Sequence, residues 1–340
     1  MIKLSIDAMG GDFAPEMIVK GAIKALKKEK SLNIILYGDK DKINNIINKD
    51  ISIKLHDQIN QRISIIHTPK FLNMDVCNIR EELRDNPSCS MFLALQAAKD
   101  NEVDGVVSAG PTQALILSSY LIIGTLKNFE RIALAPIFSS LNNEKKKIIL
   151  DAGANISLKP KQILNFAIYS SVIMKEIFKI SKPIVKLLNI GSEKNKGREF
   201  EKETFELLSK EKNIYFKGNE EPNNILNSEA DILISDGFTT NMILKSYEGA
   251  IETLLYYFKK IMTENYFKKI VSKILFKKKI QEIKKKIDNK ELGGAILLGL
   301  KKIVIKAHGN SEYYSFYKAI IQAKNLVEKK FFDKINKNLK

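Results

Sequence analysis

The first two-thirds of the chain alternates short apolar runs with longer runs of helical spacing. Residues 3–6, 33–37, 63–67, 103–108, 148–152, 185–190 and 232–235 have the length and apolar content of strands. Residues 14–28 place Ile18, Ala22, Ala25 and Leu26 on one helical face, and Pro15 suits a first helical turn. Residues 91–99 and the strongly apolar 113–126 also read as helices. Short apolar strands alternating with helices predict βαβ units and a mostly parallel sheet covered on both faces. No internal repeat or low-complexity linker interrupts the pattern, so a single α/β domain over 1–340 is expected.

Residues 250–290 depart from this pattern. Ile251, Leu254, Leu255, Phe258 and Met262, then Phe267, Ile270, Val271, Ile274 and Leu275, recur at spacings of three and four. A turn at 263–265 would divide them into a helical hairpin. The stretch 251–290 holds twelve lysines against four acidic residues, a balance of +8 within a chain of net charge +17. Two readings stay open. One is a basic amphipathic element that docks on an anionic membrane surface or a partner. The other is an ordinary surface hairpin whose apolar stripe packs on the core or on a second subunit.

The strand ends carry the candidate chemistry. In open α/β sheets, ligands sit beyond the carboxyl ends of the strands. Six glycine-bearing loops fall there: D-A-M-G-G-D at 7–12, S-A-G-P-T-Q-A at 108–114, D-A-G-A-N at 151–155, N-I-G-S-E-K-N-K-G-R-E at 189–199, D-G-F-T-T-N at 236–241 and A-H-G-N-S at 307–311. All but the third lead directly into helical patterns. Glycine admits close approach of a ligand to backbone N–H groups, and a helix start adds partial positive charge. Converging loops of this kind suit a phosphate or a developing oxyanion. The acids of the first loop do not suit an anion. Asp7 and Asp12 are expected to accept from neighbouring backbone N–H groups and Ser or Thr hydroxyls, or to cap the following helix.

Composition narrows the classes. Apolar residues make up 44% of the chain and charged residues 28%, ordinary values for a globular protein. The chain opens on a strand-like K-L-S-I-D, and its apolar runs are too short to span a bilayer, so a cytoplasmic protein is expected. Cys77 and Cys89 fit a reducing compartment, and the three scattered histidines make no zinc spacing. Cys89 stands at a helix start with no histidine nearby in sequence and reads as structural. The positive charge is mostly lysine. Arginine, the usual bidentate reader of phosphates, occurs only at 62, 80, 84, 131 and 198, which argues against sequence-specific nucleic-acid binding. The dinucleotide, P-loop and nucleophile-elbow signatures are absent.

The loops, taken in order, resemble the phosphate acyltransferase (PlsX) family of bacterial phospholipid synthesis. The matching strings are I-D-A-M-G-G-D-x-A-P at 6–15, S-A-G at 108–110, R-x-A-L-A-P at 131–136, L-D-A-G-A-N at 150–155, L-L-N-I-G at 187–191, K-G-R-E at 196–199, A-D-I-L-I-S-D-G-F at 230–238, N-M-I-L-K at 241–245, E-G-A at 248–250, G-G-A-x-L-L-G-L at 293–300 and V-I-K-A-H-G at 304–309. The resemblance implies a Rossmann-like αβα sandwich, similar to isocitrate and isopropylmalate dehydrogenases and to phosphate acetyltransferases, and generally dimeric. It implies transfer of a fatty acyl group from acyl carrier protein to inorganic phosphate, with no cofactor, metal or nucleic acid, by a soluble or peripherally membrane-attached enzyme. By the same resemblance Asp7, Asp12, Ser108, Thr112, Asn155, Asn241, Lys245 and His308 are expected to be catalytic. Gly10, Gly11, Gly110, Asn189, Gly191, Asp236, Gly237 and Gly309 are expected to bind substrate or phosphate. Lys245 either pairs with phosphate or covers a helix face with its stem. His308 either protonates the leaving thiolate or is a satisfied structural histidine.

Departures from the family pattern fall inside these loops. Pro111 and Gln113 replace an asparagine and a glycine, Ser157 an aspartate, Thr240 a glycine, and Asn86-Pro87 a basic pair. Pro111 removes one backbone donor. An intact fold with altered or reduced activity is expected. Two other classes stay open: a non-catalytic basic protein bound to membrane or RNA through 251–290, and a dehydrogenase of the related fold. The missing metal-carboxylate cluster and dinucleotide loop argue against the second.

Overall fold

Side-chain alternation in the first strand sets the layering. Leu4 and Ile6 enter one hydrophobic cluster, while Ser5 and Asp7 turn to the opposite face. A computed structural model describes residues 1–50, 59–127, 129–139, 145–264 and 293–332. The strands are β1 (Ile2–Asp7), β2 (Leu32–Gly38), β3 (Ile63–His67), β4 (Gly105–Ser108), β5 (Ala133–Ser139), β6 (Lys146–Leu150), β7 (Ile184–Leu188), β8 (Tyr215–Glu220), β9 (Ile232–Ile234), β10 (Ala295–Leu298) and β11 (Ile303–Lys306). The helices are α1 (Glu16–Lys28), α2 (Lys40–Asp50), α3 (Ile79–Asp85), α4 (Ser90–Lys99), α5 (Thr112–Ile122), α6 (Pro160–Glu176), α7 (Glu199–Lys210), α8 (Gly237–Met262) and α9 (Tyr313–Glu328).

The strands form one sheet in the order β3-β2-β1-β4-β11-β10-β5-β6-β9-β7-β8. Neighbours from β3 to β11 pair in parallel, as do those from β6 to β8. Antiparallel pairs β11–β10, β10–β5 and β5–β6 join the two parallel blocks. This is the mostly parallel α/β architecture expected from the alternation. In the first block, one sheet face packs on α1 and α9 through Ile18, Leu26, Phe316 and Ile320. The other face packs on α4 and α5 through Phe92, Leu95 and Leu115. In the second block, Ile163, Phe166 and Tyr169 of α6 cover one face, and Ile243, Leu244 and Tyr247 of α8 pack on the other.

Several boundaries differ from expectation for local reasons. The helix expected over 113–126 ends at Ile122, because Gly124 adopts φ +78° and donates its N–H to the Ser119 carbonyl. Pro15 precedes α1 as its N-cap residue instead of lying in the first turn, and no side chain caps that helix. Asp12 therefore does not cap it. The first arm of the expected hairpin is the far end of α8, a 26-residue helix that starts in the loop region. Leu254, Tyr256, Tyr257, Phe258 and Ile261 there are each more than half exposed. The second arm falls within 265–292, outside the described residues. Among the described residues no helix is long and apolar enough to cross a membrane.

Candidate active site

Three adjacent strands end on a buried polar row. Ile6 of β1 registers with Val107 of β4, and the following residues, Asp7 and Ser108, meet side chain to side chain. Lys306, the last residue of β11, registers with Ser108. Asp7 is 1% exposed, Ser108 0% and Lys306 7%. The Asp7 carboxylate accepts from Ser108 Oγ at 2.7 Å, from Ser90 Oγ at the start of α4 at 2.6 Å, and from the Met9 N–H at 3.3 Å. Burial pushes its pKa above the usual carboxylate range, against the opposing pull of the two hydroxyls and the Met9 and Gly10 N–H groups. Asp7 thus makes the bonds to hydroxyls and backbone expected of it, and these tie β1 to the start of α4 and the end of β4.

The loops above this row approach one another by way of glycines. A Cβ on Gly10 would lie 2.3 Å from Asp7 Oδ2 and 2.7 Å from the Gly110 nitrogen. Gly11 adopts φ +108°, and a Cβ there would meet the Gly309 carbonyl at 3.0 Å. The Asp12 N–H donates to that same carbonyl at 2.9 Å. The Gly110 N–H donates to Ser108 Oγ at 3.0 Å. The first turn of α5 begins at Thr112, where N–H groups have no partner within the helix.

The second block supplies a matching set. Asp151, fully buried, accepts from the N–H groups of Leu134, Ala154 and Asn155 and from Asn155 Nδ2 at 2.7–3.0 Å. Its burial raises the carboxyl pKa, and these donors oppose the rise. Asn155 Nδ2 also donates to the Ile132 carbonyl at 2.7 Å. Gly237 packs against the Asn155 backbone, where a Cβ would fall 2.2 Å from the carbonyl oxygen. Asp236 caps α8 by accepting the Thr239 N–H at 2.8 Å, and it accepts from Arg198 Nη2 at 3.2 Å. Arg198 also bonds Glu201, whose side chain is the main cause of its raised pKa. Asn189 Nδ2 donates to the Lys196 carbonyl at 3.1 Å, and Gly191 packs on Glu193 and Lys196.

The two sets meet. Gln113 Nε2 donates to the Gly153 carbonyl at 3.2 Å, and Asn241 packs on Gly153. Contacts therefore run unbroken from 307–309 through 7–12, 108–113, 151–155 and 236–241 to 189–198. Asp7, Ser108, Gly10, Gly11, Gly110 and Gly309 share one end of this series; Asn155, Asn189, Gly191, Asp236, Gly237 and Asn241 share the other. Thr112 stands half-buried between them. Lys245 lies one turn beyond Asn241 and pairs with Glu248 at 3.1 Å, its side chain 66% exposed. Asp12 and His308 are exposed on the loop surface. Cys89 is buried, and burial pushes its thiol up to about 11, which keeps it protonated. A separate concavity of about 580 Å³ lies elsewhere, lined by Lys99, Lys301, Lys302, Phe331 and other residues at the amino ends of β4 and β11.

Four residues at these loops were not among those singled out from sequence: Ser90, Asp151, Arg198 and Lys306. Asp151, Arg198 and Lys306 sit inside quoted motifs, and for Asp151 a charge just after an apolar strand was the available signal. Lys306 offered the same signal, hidden by the many lysines of the chain.

By fold, the chain is an α/β protein of the phosphotransacetylase type. It is similar to a phosphotransacetylase from Streptococcus pyogenes (TM-score 0.61, 17% identity, covering 96% of this chain and 94% of that one). It is also similar to a branched-chain phosphotransacylase from Enterococcus faecalis V583 (TM-score 0.57, 15% identity, 96% and 99% covered). The family model described as "Fatty acid synthesis protein" matches residues 2–334, and the chain belongs to that family. A protein named phosphate acyltransferase from Onion yellows phytoplasma (strain OY-M) is 50% identical over 339 residues, spanning 100% of this chain and 91% of the relative. One of the same name from Acholeplasma laidlawii (strain PG-8A) is 42% identical, spanning 100% and 99%.

Proposed function

We propose that this chain transfers a fatty acyl group from acyl carrier protein to inorganic phosphate, giving acyl phosphate for phospholipid synthesis. A phosphate oxygen attacks the thioester carbonyl, the C–S bond breaks, and the thiolate leaves and takes up a proton. Phosphate is already a nucleophile near neutral pH, so the protein's task is to position it and to stabilise the oxyanion. The observation that carries this reading is the unbroken contact of six glycine-bearing loops in a chain 50% identical to a named phosphate acyltransferase. The starts of α5 and α8 both contact Gly153 of loop 151–155, through Gln113 and Asn241, and backbone donors and partial positive charge at helix starts favour an anion. A net charge of +17 steers an acidic carrier protein toward the chain.

The exposed apolar end of α8 supports peripheral attachment to an anionic membrane through 250–290, and a homodimer is proposed as the working unit. Incubation of the purified chain with long-chain acyl carrier protein and phosphate tests the reaction. Acyl phosphate and free carrier thiol should form in equal amounts. A folded protein that forms neither overturns the reading. Deleting 250–290 should abolish binding to anionic vesicles while turnover persists.

A further inference from the structure

Lys306, the cation of the buried row, has no part in the chemistry described so far. Lys306 Nζ donates to the Ala109 carbonyl at 3.2 Å and to the Ala307 carbonyl at 2.5 Å. The first of these belongs to the loop after β4, 197 residues away in sequence, and the second to the loop after β11. The stem of Lys306 shares the sheet face of Val304, beneath α4 and α5. Its neighbours across the strands are Ser108 on β4 and Ala295 on β10. A side chain needed there only to fill space would be apolar, since a buried ammonium is destabilising unless its donors are met.

We propose that Lys306 is a positioning residue whose buried ammonium clamps the Ala109 and Ala307 carbonyls and so fixes loops 108–112 and 307–309 for binding inorganic phosphate. The inference rests on the acyltransferase reading of the same loops. Because a trans peptide holds its N–H opposite its C=O, anchoring these carbonyls turns the Gly110 and His308 N–H groups away from Lys306. The Gly110 N–H is thereby aimed at Ser108 Oγ, which in turn bonds Asp7. One cation therefore sets the peptide planes at the ends of two strands.

The charge on Lys306 is titratable within a useful range. Burial pushes its pKa down to about 8, with Asp7 and Asp12 pulling the other way. Those two acids, from β1 and the loop after it, are the charges that act on it. The sequence of α5 has no charged residue, and α4 has only Lys99 at its far end. β4 and β10 present Ser108 and Ala295, and His308 is exposed two residues on. Below about pH 8 the ammonium holds both carbonyls; above it, a neutral amine holds them more weakly.

The test is calorimetric titration of the full chain with sulfate, a phosphate surrogate whose charge is constant over the range, from pH 7 to 9.5. Charge-assisted hydrogen bonds exceed neutral ones by about a tenfold factor in equilibrium. Wild-type affinity should fall about tenfold through pH 8, while Lys306→Met should bind weakly and without that step. Lys306→Arg, charged throughout, should restore a flat profile at higher affinity than Lys306→Met. Thermal melts separate a merely structural role. Neutralising a buried lysine raises stability between about pH 8 and the ordinary lysine range, so affinity and stability should move in opposite directions. A wild-type profile without a step overturns the proposal even if neither variant folds, as does wild-type affinity in Lys306→Met. The acyltransferase reading fails separately, when a sulfate-binding wild-type chain makes no acyl phosphate.

Discussion

Gly237→Ala tests whether loop contact sets activity. A Cβ at this position would lie 2.2 Å from the Asn155 carbonyl oxygen, 3.0 Å from its carbonyl carbon and 3.1 Å from its nitrogen. Carbon contacts settle near 3.5 Å, so α8 and loop 151–155 would part by about 1 Å. Flexible side chains cannot absorb that shift. The Asn155 backbone is held by Asp151, and its amide side chain is tied to Ile132. Overpacking of this kind costs about 1–3 kcal/mol. A displacement of about 1 Å between reacting groups costs about a hundredfold in rate.

The expected outcome is a modest fall in melting temperature with a loss of acyl-phosphate formation on the order of a hundredfold. Gly249→Ala, on the same helix, is the control. A Cβ there meets nothing within 4 Å, so helix propensity alone should stabilise the protein by about 1 kcal/mol and leave turnover unchanged. If Gly237→Ala behaves like Gly249→Ala in both melting and turnover, the contact between α8 and loop 151–155 has no part in catalysis.

Two further outcomes follow from buried charges. Asp151→Ala leaves the Leu134, Ala154 and Asn155 N–H groups without their acceptor and should cost at least about 3 kcal/mol, read by chemical denaturation. For Lys306, the folded pKa of about 8 lies below its ordinary value of 10.5. The unfolded chain therefore binds the extra proton between them, and stability rises with pH across that window by roughly 3 kcal/mol relative to Lys306→Met. Denaturation curves at pH 7.5 and 10 check the sign.

Much of the fold was legible because strand alternation and glycine punctuation are local signals. Leu4, Ile6, Ile34 and Leu36 alternate with side chains that face the other way, and the structure sorts them into separate clusters. The strand-end loops were legible for the same reason. The joining of two parallel blocks through β10 and β5 was not, since antiparallel pairing across long sequence separation leaves no local pattern. The length of α8 was also hidden: Gly249 and a polar first turn mask one continuous helix. Lys245 sits in a matching string, and its pairing with Glu248 follows from a spacing of three on an exposed helix face.

The departures from the family pattern differ in physical weight once placed in three dimensions. Pro111 is the N-cap residue of α5, and its carbonyl accepts the Leu115 N–H at 2.9 Å. The missing donor therefore falls just outside the first-turn N–H groups that begin at Thr112. Gln113, in place of a glycine, spans the two blocks through the Gly153 carbonyl. Ser157 is exposed beyond loop 151–155. Asn86 accepts from Lys70 Nζ at 2.9 Å and donates to Glu82. Thr240 stands apart: it is fully buried in the first turn of α8, and its hydroxyl has no hydrogen-bond partner among the described residues. An unpaired buried hydroxyl is destabilising by about 1–3 kcal/mol. The expectation of altered activity therefore concentrates on the start of α8, where Asp236 and Gly237 must hold their geometry against Arg198 and Asn155.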